Sequence, residues 1–334
     1  MDLTRIASWA ANTPWAISQE KLRAIAIALA IRVNGVSAGP EQIRKAKSQK
    51  KKNCAMAVDA AGQRTALQGS GQAQTQSIVI LPVCGTICPR MHQIEDGSGG
   101  ISCERVGRWL DQCNADSKVG GIVLDIDSPG GSSFGVSELA AKIRNVAASK
   151  PVLAVANHEA CSAAYWLASA ASEVGVTPSG IVGSVGVYMI HQCFARALQE
   201  EGIDTTMIQA GEFKLVGNPF APLDKAAESR LQAWVNDTYE RFVTNVAAYR
   251  SKSRQHVEDQ FGKGWILNSQ AALQQGMVDR VGSFEDLVAD FTGRVLSPVK
   301  SLAASAARQR EIEIARARLN TGLQYREKEQ QTEI

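Results

Sequence analysis

Ser162 is the residue whose neighbours best suit it to act as a nucleophile. It closes the stretch Asn157-His158-Glu159-Ala160-Cys161-Ser162, after the apolar run Val152-Leu153-Ala154-Val155-Ala156 and before Ala163-Ala164-Tyr165-Trp166. A short buried strand, a polar turn and small residues of high helix propensity read as strand, turn, helix. That geometry lifts the first helical side chains to the top of a sheet and turns backbone N–H groups toward whatever binds there. A serine at this point also makes an ordinary helix N-cap, so its chemistry has to be argued from what accompanies it. A hydroxyl attacks well only when a neighbouring group takes its proton. The bases on offer are Lys214 and four histidines, His92, His158, His191 and His256. None of the histidines lies in a pattern of its own, and His158, four residues before Ser162 on the turn, reads as a surface or capping residue. Lys214 is followed by Gly217-Asn218-Pro219-Phe220, a loop without helical pattern, so its side chain can be directed inward. A lysine works as a base only when neutral, which takes burial or a positive neighbour to bring it down from about 10.4.

Ser128-Pro129-Gly130-Gly131 follows a buried strand. The proline fixes one dihedral, and the two glycines let the backbone approach a ligand and point N–H groups at it. Such a turn suits an oxyanion hole, which stabilises charge developing on an attacked carbonyl. Cys161, beside Ser162 and near His158, is a competing nucleophile, although adjacent residues on a turn point in different directions. Cys84, Cys88, His92 and Cys103 are residue types that bind zinc, but Pro89 and a strand-loop setting lack a knuckle spacing. They read as buried thiols, and no metal or cofactor is expected.

The elements that position these residues are legible from periodicity. Ile78 to Val83 is a strand, Asp96 to Gly100 a Gly-rich loop, and Ile101 to Asn114 a helix with Val106, Trp109, Leu110 and Cys113 on one face. Gly121 to Asp127 is a buried strand; Val136, Leu139, Ala140, Ile143 and Val146 form the apolar stripe of a helix. Thr205 to Gln209 reads as a strand, and Leu231, Trp234, Val235, Thr238, Phe242 and Val246 as one face of a long helix. Strands alternating with helices of this length imply an α/β fold with a mostly parallel sheet. Four parts follow: a helical N-terminal segment over 1–37, starting at Pro14-Trp15; a basic, Gln/Gly/Ser-rich linker over 38–76; a compact domain over 77–291; and a charged helical tail over 292–334.

Composition narrows the function classes. Hydrophobic residues make up 45% of 334, enough for a sizeable core. A net charge of +3 is too small to argue for nucleic acid, and the lysine run Lys50-Lys51-Lys52 reads as solvated linker. Seven cysteines, an odd number and few for the length, read as reduced thiols of a cytosolic protein. The apolar run Leu22 to Val33 is interrupted by Arg23 and Arg32 and falls short of the ~20 residues of a membrane span, so no membrane contact is expected.

Four motifs then combine. Asp127-Ser128-Pro129-Gly130-Gly131, Cys161-Ser162-Ala163-Ala164-Tyr165, Gly183-Ser184-Val185-Gly186 and Gly211-Glu212-Phe213-Lys214 occur in the order and at the spacings of the signal peptide peptidase A family. The chain resembles that family over about residues 77–290, and within it the capsid-assembly proteases of tailed phages, which share a Pro-Trp-type opening and an Asn-Pro-Phe-like element. The resemblance implies a Clp protease/crotonase-like fold of repeated β-β-α units. It makes Ser162 the nucleophile and Lys214 the general base, with Ser184 positioning the amine. The amides of Gly130 or Gly131, with that of Ala163, would form the oxyanion hole. Many relatives have Ser-Gly-Gly or Ser-Ala-Gly where this chain has Ser162-Ala163-Ala164, and the β-carbon at 164 narrows the backbone path. Family members assemble in rings, and in some the lysine comes from a neighbouring protomer. The implied function is an endopeptidase that cuts scaffold, portal or capsid proteins, and itself, inside an assembling prohead in the host cytoplasm. A bacterial signal-peptide peptidase and a non-catalytic shell or scaffold protein are the alternatives.

Overall fold

The computed structural model describes residues 15–17, 55–59, 64–66, 76–90 and 100–296. Strands β1 (Trp15–Ile17), β2 (Met56–Asp59), β3 (Arg64–Ala66), β4 (Ser77–Cys84), β5 (Ile87–Cys88) and β6 (Ile101–Ser102) come first, followed by helix α1 (Cys103–Ala115). Next are β7 (Val119–Ser128), β8 (Gly130–Ser132), α2 (Val136–Ala147), β9 (Val152–Cys161), α3 (Ala163–Ser169), β10 (Glu173–Val176) and β11 (Ile181–Gly183). The chain continues through α4 (Ala195–Glu200), α5 (Lys225–Tyr249), α6 (Arg254–Gln260), β12 (Ile266–Asn268), α7 (Ser269–Gln275), β13 (Arg280–Val281) and α8 (Phe284–Leu296).

The large sheet runs β12-β11-β9-β7-β4-β2-β3, with β10 beside β9 and β13 beyond it. Its centre is parallel: β4 with β7, β7 with β9, and β9 with both β10 and β11. The antiparallel strands β2, β3 and β12 lie at its margins. Central strands carry apolar side chains on both faces, because helices cover both. Val79, Leu81, Ile122, Leu124, Ala154 and Ala156 point into the cluster shared with α1, α2, α3 and α5. Their neighbours Ile78, Ile80, Val123, Leu153 and Val155 face Phe284, Leu287, Val288 and Phe291 of α8. A smaller sheet, β1-β8-β5-β6, stands beside the large one.

Helix α3 is buried along its whole length. Trp166 stacks on Phe242 of α5, ring centroids 4.6 Å apart and 6° from parallel, and the Tyr165 hydroxyl donates to the Met277 carbonyl at 3.0 Å. These contacts fix the element that follows Ser162. Phe242→Ala is expected to cost about 3–5 kcal/mol of stability through the cavity it leaves, read as a lower midpoint in urea. Among the described residues no helix is long and apolar enough to cross a membrane.

Several segments differ from their sequence reading. Residues 15–17, expected in a helical preface, form a strand because β8 offers them a partner remote in sequence. Within the segment read as linker, β2 and β3 pair with each other, and β2 also pairs with β4. The polar residues 157–161, read as turn, extend β9 because its neighbours β7 and β11 continue beside them. Gly130 and Gly131, read as turn, lie in β8. Thr205 to Gln209 is not a strand; among the described residues it has no pairing partner, and Ile208 is 92% exposed. His92, residues 96–99 of the Gly-rich loop and the tail from Ser297 lie outside the described residues.

Candidate active site

β9 ends at Cys161 and α3 begins at Ala163, so Ser162 makes the corner alone, with φ 56° and ψ −119°. That backbone region is costly for a residue with a β-carbon, about 1–3 kcal/mol, and persists where the surroundings over-determine it. Here the Ser162 N–H donates to the Gly183 carbonyl at 2.7 Å, and the Ser162 carbonyl accepts from the Trp166 N–H at 3.0 Å. The side chain is not used as a cap for α3. Ser162 is 1% exposed. Its hydroxyl has one long bond, to the Gly186 carbonyl at 3.4 Å, weak by ordinary O–H···O standards. A strained corner thus presents a hydroxyl with little structural employment. The first N–H groups of α3, that of Ala163 among them, have no intrahelical partner, as at any helix start.

β8 packs directly against this corner. Gly130 has φ 101°, and a β-carbon on it would lie 2.2 Å from the Ala16 carbonyl oxygen, 2.8 Å from that of Cys161 and 3.0 Å from the Ser162 β-carbon. On Gly131 a β-carbon would fall 1.9 Å from the Ile87 carbonyl oxygen. Only glycine fits either position. The Gly130 amide is already engaged, donating to Ser128 Oγ at 3.2 Å, while that hydroxyl donates to the Gly85 carbonyl at 2.7 Å.

Ser184 sits on the opposite wall. It follows Gly183, adopts φ 52°, and donates its N–H to the Trp265 carbonyl at 2.7 Å. With Gly186, whose carbonyl receives the Ser162 hydroxyl, it borders a cavity of about 640 Å³ between this loop and helices α5 and α6. Ser162, Ser184, Gly130, Gly131 and Ala163 are therefore gathered in one place.

Lys214 lies exposed in a turn over 212–217, and among the described residues no hydrogen bond joins it to Ser162. That turn is well braced: Arg230 of α5 stacks 3.2 Å above the Phe213 ring, His191 Nε2 contacts the Asn218 carbonyl at 2.9 Å, and the Phe194 N–H donates to the Pro219 carbonyl at 2.7 Å.

The competing readings separate clearly. His158 Nδ1 lies 3.4 Å from Asp127 Oδ1 on a mostly exposed side chain, without a hydrogen bond to Ser162. Burial, with a smaller contribution from Glu159, pushes the Cys161 thiol up to about 12, so it carries almost no thiolate at neutral pH. Iodoacetamide at pH 8 should therefore modify the exposed Cys193 and leave Cys161 unmodified; a Cys161 adduct in the peptide mass map would contradict this. Cys84, Cys88 and Cys103 are buried thiols outside any disulfide. Among the described residues the close trio of ligating types is Asp127, His158 and Glu159, not the cysteines.

Two features escaped the sequence reading. Tyr188 borders the cavity with a hydroxyl that is buried without a hydrogen-bond partner among the described residues. Ala16 and Ile17 lie against β8, at the site rather than in a separate preface. Neither has a local sequence signal, since each is placed by pairing or packing with remote residues.

Comparison with known proteins assigns a domain of this chain. The model of peptidase family S49 matches residues 144–295, a span that includes Ser162, Ser184 and Lys214. The chain carries a peptidase family S49 domain. Similar proteins include "Capsid assembly protease C" of Escherichia phage lambda, 35% identical over 214 residues covering 63% of this chain and 48% of that one. "Head-tail preconnector protein GP5" of Enterobacteria phage P21 is 35% identical over 211 residues, 63% of this chain and 42% of that protein. "Protease 4" of Haemophilus influenzae is 28% identical over 212 residues, 63% and 34% of the respective lengths. The chain thus spans about half, or less, of the length of these relatives.

Proposed function

We propose that this chain is a serine endopeptidase in which Ser162 is the nucleophile and Lys214 the general base, in a fold of the Clp protease/crotonase type. The observation that carries the reading is the Ser162 corner: a strained, buried serine inside an S49 domain, walled by glycine backbone, whose hydroxyl caps nothing. Ser162 Oγ attacks the carbonyl carbon of the scissile peptide while its proton passes to Lys214 Nζ. The oxyanion is held by the amide of Gly130 or Gly131 together with that of Ala163. The C–N bond breaks as the proton moves to the leaving amine, and water then hydrolyses the acyl-enzyme with Lys214 again taking a proton. Ser184 orients the amine.

Lys214 reaches this site from a second copy of the chain. The segment that carries it exposes Ile190, Phe194, Ile203, Ile208, Phe213 and Phe220, an apolar array that a solvated single chain leaves uncovered. Packing it on a neighbour in a homo-oligomeric ring would remove Lys214 from water, which favours a neutral amine. Activity would then rise only where the chain is concentrated. Likeness to the phage proteins supports scaffold, portal or capsid proteins, and the chain itself, as substrates, within an assembling prohead in the host cytoplasm. Likeness to "Protease 4" supports a second reading, a signal-peptide peptidase working on membrane-derived peptides. Co-expression with a candidate scaffold tests the first. Processing by wild type and none by Ser162→Ala supports it, and equal processing by both rejects the enzyme reading. Flotation with membranes in the absence of phage genes would favour the second.

A further inference from the structure

We propose that β1 is a tethered occupant of the peptide track beside Ser162, competing with extended polypeptides that present a small residue followed by a branched aliphatic one. The proposal rests on Ser162 as the reactive residue. β8 has β5 on one side and β1 on the other, so removing β1 exposes a sheet edge at the candidate nucleophile. An unpaired edge offers N–H and C=O groups to any extended segment, and peptides are commonly bound by adding such a strand. β1 fills it antiparallel, with Trp15 opposite Ser132, Ala16 opposite Gly131 and Ile17 opposite Gly130.

The placement is intimate. A single point above Gly130, where its β-carbon would be, lies 2.2 Å from the Ala16 carbonyl oxygen and 3.0 Å from the Ser162 β-carbon, so the peptide group after Ala16 and the serine are immediate neighbours. The glycine at 130 is what lets a second backbone come this close. The side chains show what the track accepts. Ala16 is fully buried in the cluster that includes α3, so a larger side chain there would have to displace packed neighbours. Ile17 is 2% exposed and forms part of the wall of the 640 Å³ cavity with Ser184, Val185, Val187 and Tyr188. Among the described residues three pairs hold β1 to β8. A strand held by three pairs opens at low cost, and its covalent attachment to the chain keeps its effective concentration high. Substrate and β1 cannot occupy the edge together, so apparent substrate affinity falls with the fraction of chains in which β1 is seated.

The test uses the full chain carrying Ser162→Ala, in which nothing is cut, and a fluorescent peptide of residues 13–18. Hydrogen exchange is followed with and without excess peptide. Residues 15–17 should lose protection when the peptide binds while Gly130 to Ser132 keep theirs. Adding Ile17→Asp, which would bury a charge and so expel β1, should tighten peptide binding at least tenfold by anisotropy. Peptide binding that leaves 15–17 protected would overturn the proposal, as would no binding at millimolar peptide. So would an Ile17→Asp chain, folded by circular dichroism, that binds the peptide no better than its parent. Because binding is read in a chain that does not cut, this outcome is separable from failure of the peptidase reading, which is tested by loss of processing.

Discussion

Ser162→Ala is expected to lower kcat/KM for polypeptide hydrolysis by on the order of 10⁴-fold or more, the scale on which removing a nucleophile from a coupled catalytic set acts, while the chain stays folded. The two halves of that result come from different observations. The hydroxyl contributes little to stability, since its one hydrogen bond is 3.4 Å long and it caps no helix. The backbone strain at φ 56° belongs equally to alanine and is held by the same bonds to Gly183 and from Trp166. Unfolding in urea should therefore shift by less than about 1 kcal/mol, the scale of a single weak hydrogen bond, as activity disappears. A variant that lost stability and activity together would make Ser162 a structural residue, and one that kept activity would remove it from the mechanism.

Lys214→Met should lower kcat by about 10² to 10⁴-fold, the range for loss of a positioned general base, with little change in thermal stability. In a single chain Lys214 is exposed, so no internal packing depends on its amine. Methionine keeps the apolar stem and removes only the group that takes the proton. Lys214→Arg should be equally inactive, because a guanidinium stays charged. Activity of Lys214→Met within about threefold of wild type would exclude the lysine as base.

Legibility divided along a physical line. Ile78 to Val83, Gly121 to Asp127 and Val152 to Ala156 are readable as strands because both faces are covered and, Asp125 and Asp127 apart, their residues are apolar or small. The corner at Ser162 was readable because an apolar run meets an alanine-rich helix there. What pairing decides was not readable. Residues 157–161 carry His158 and Glu159 yet remain in strand, since β7 and β11 run beside them. β2 and β3 sit in a segment of linker composition but lie at the sheet edge, where few apolar residues are needed. β8 consists of Gly-Gly-Ser, which by propensity is turn; its glycines serve the close approach of Ile87 and Ala16 instead. The site followed the same division. The motifs located Ser162, Ser184, Gly130, Gly131 and Ala163 in one place. They did not place Lys214, which lies exposed in a stretch that also exposes Ile190, Phe194, Ile203, Ile208, Phe213 and Phe220, where no apolar pattern fixes a loop.

The central claim is that Ser162 of one chain is served by Lys214 of another. Mixing Ser162→Ala chains with Lys214→Met chains tests it most directly, since each parent lacks one half of the pair and a mixed assembly holds both across an interface. The account predicts that an equal mixture recovers roughly a quarter of wild-type activity, the share of interfaces that pair an intact serine with an intact lysine in a randomly mixed ring. A mixture that co-assembles by native mass spectrometry yet remains as inactive as either parent would contradict it.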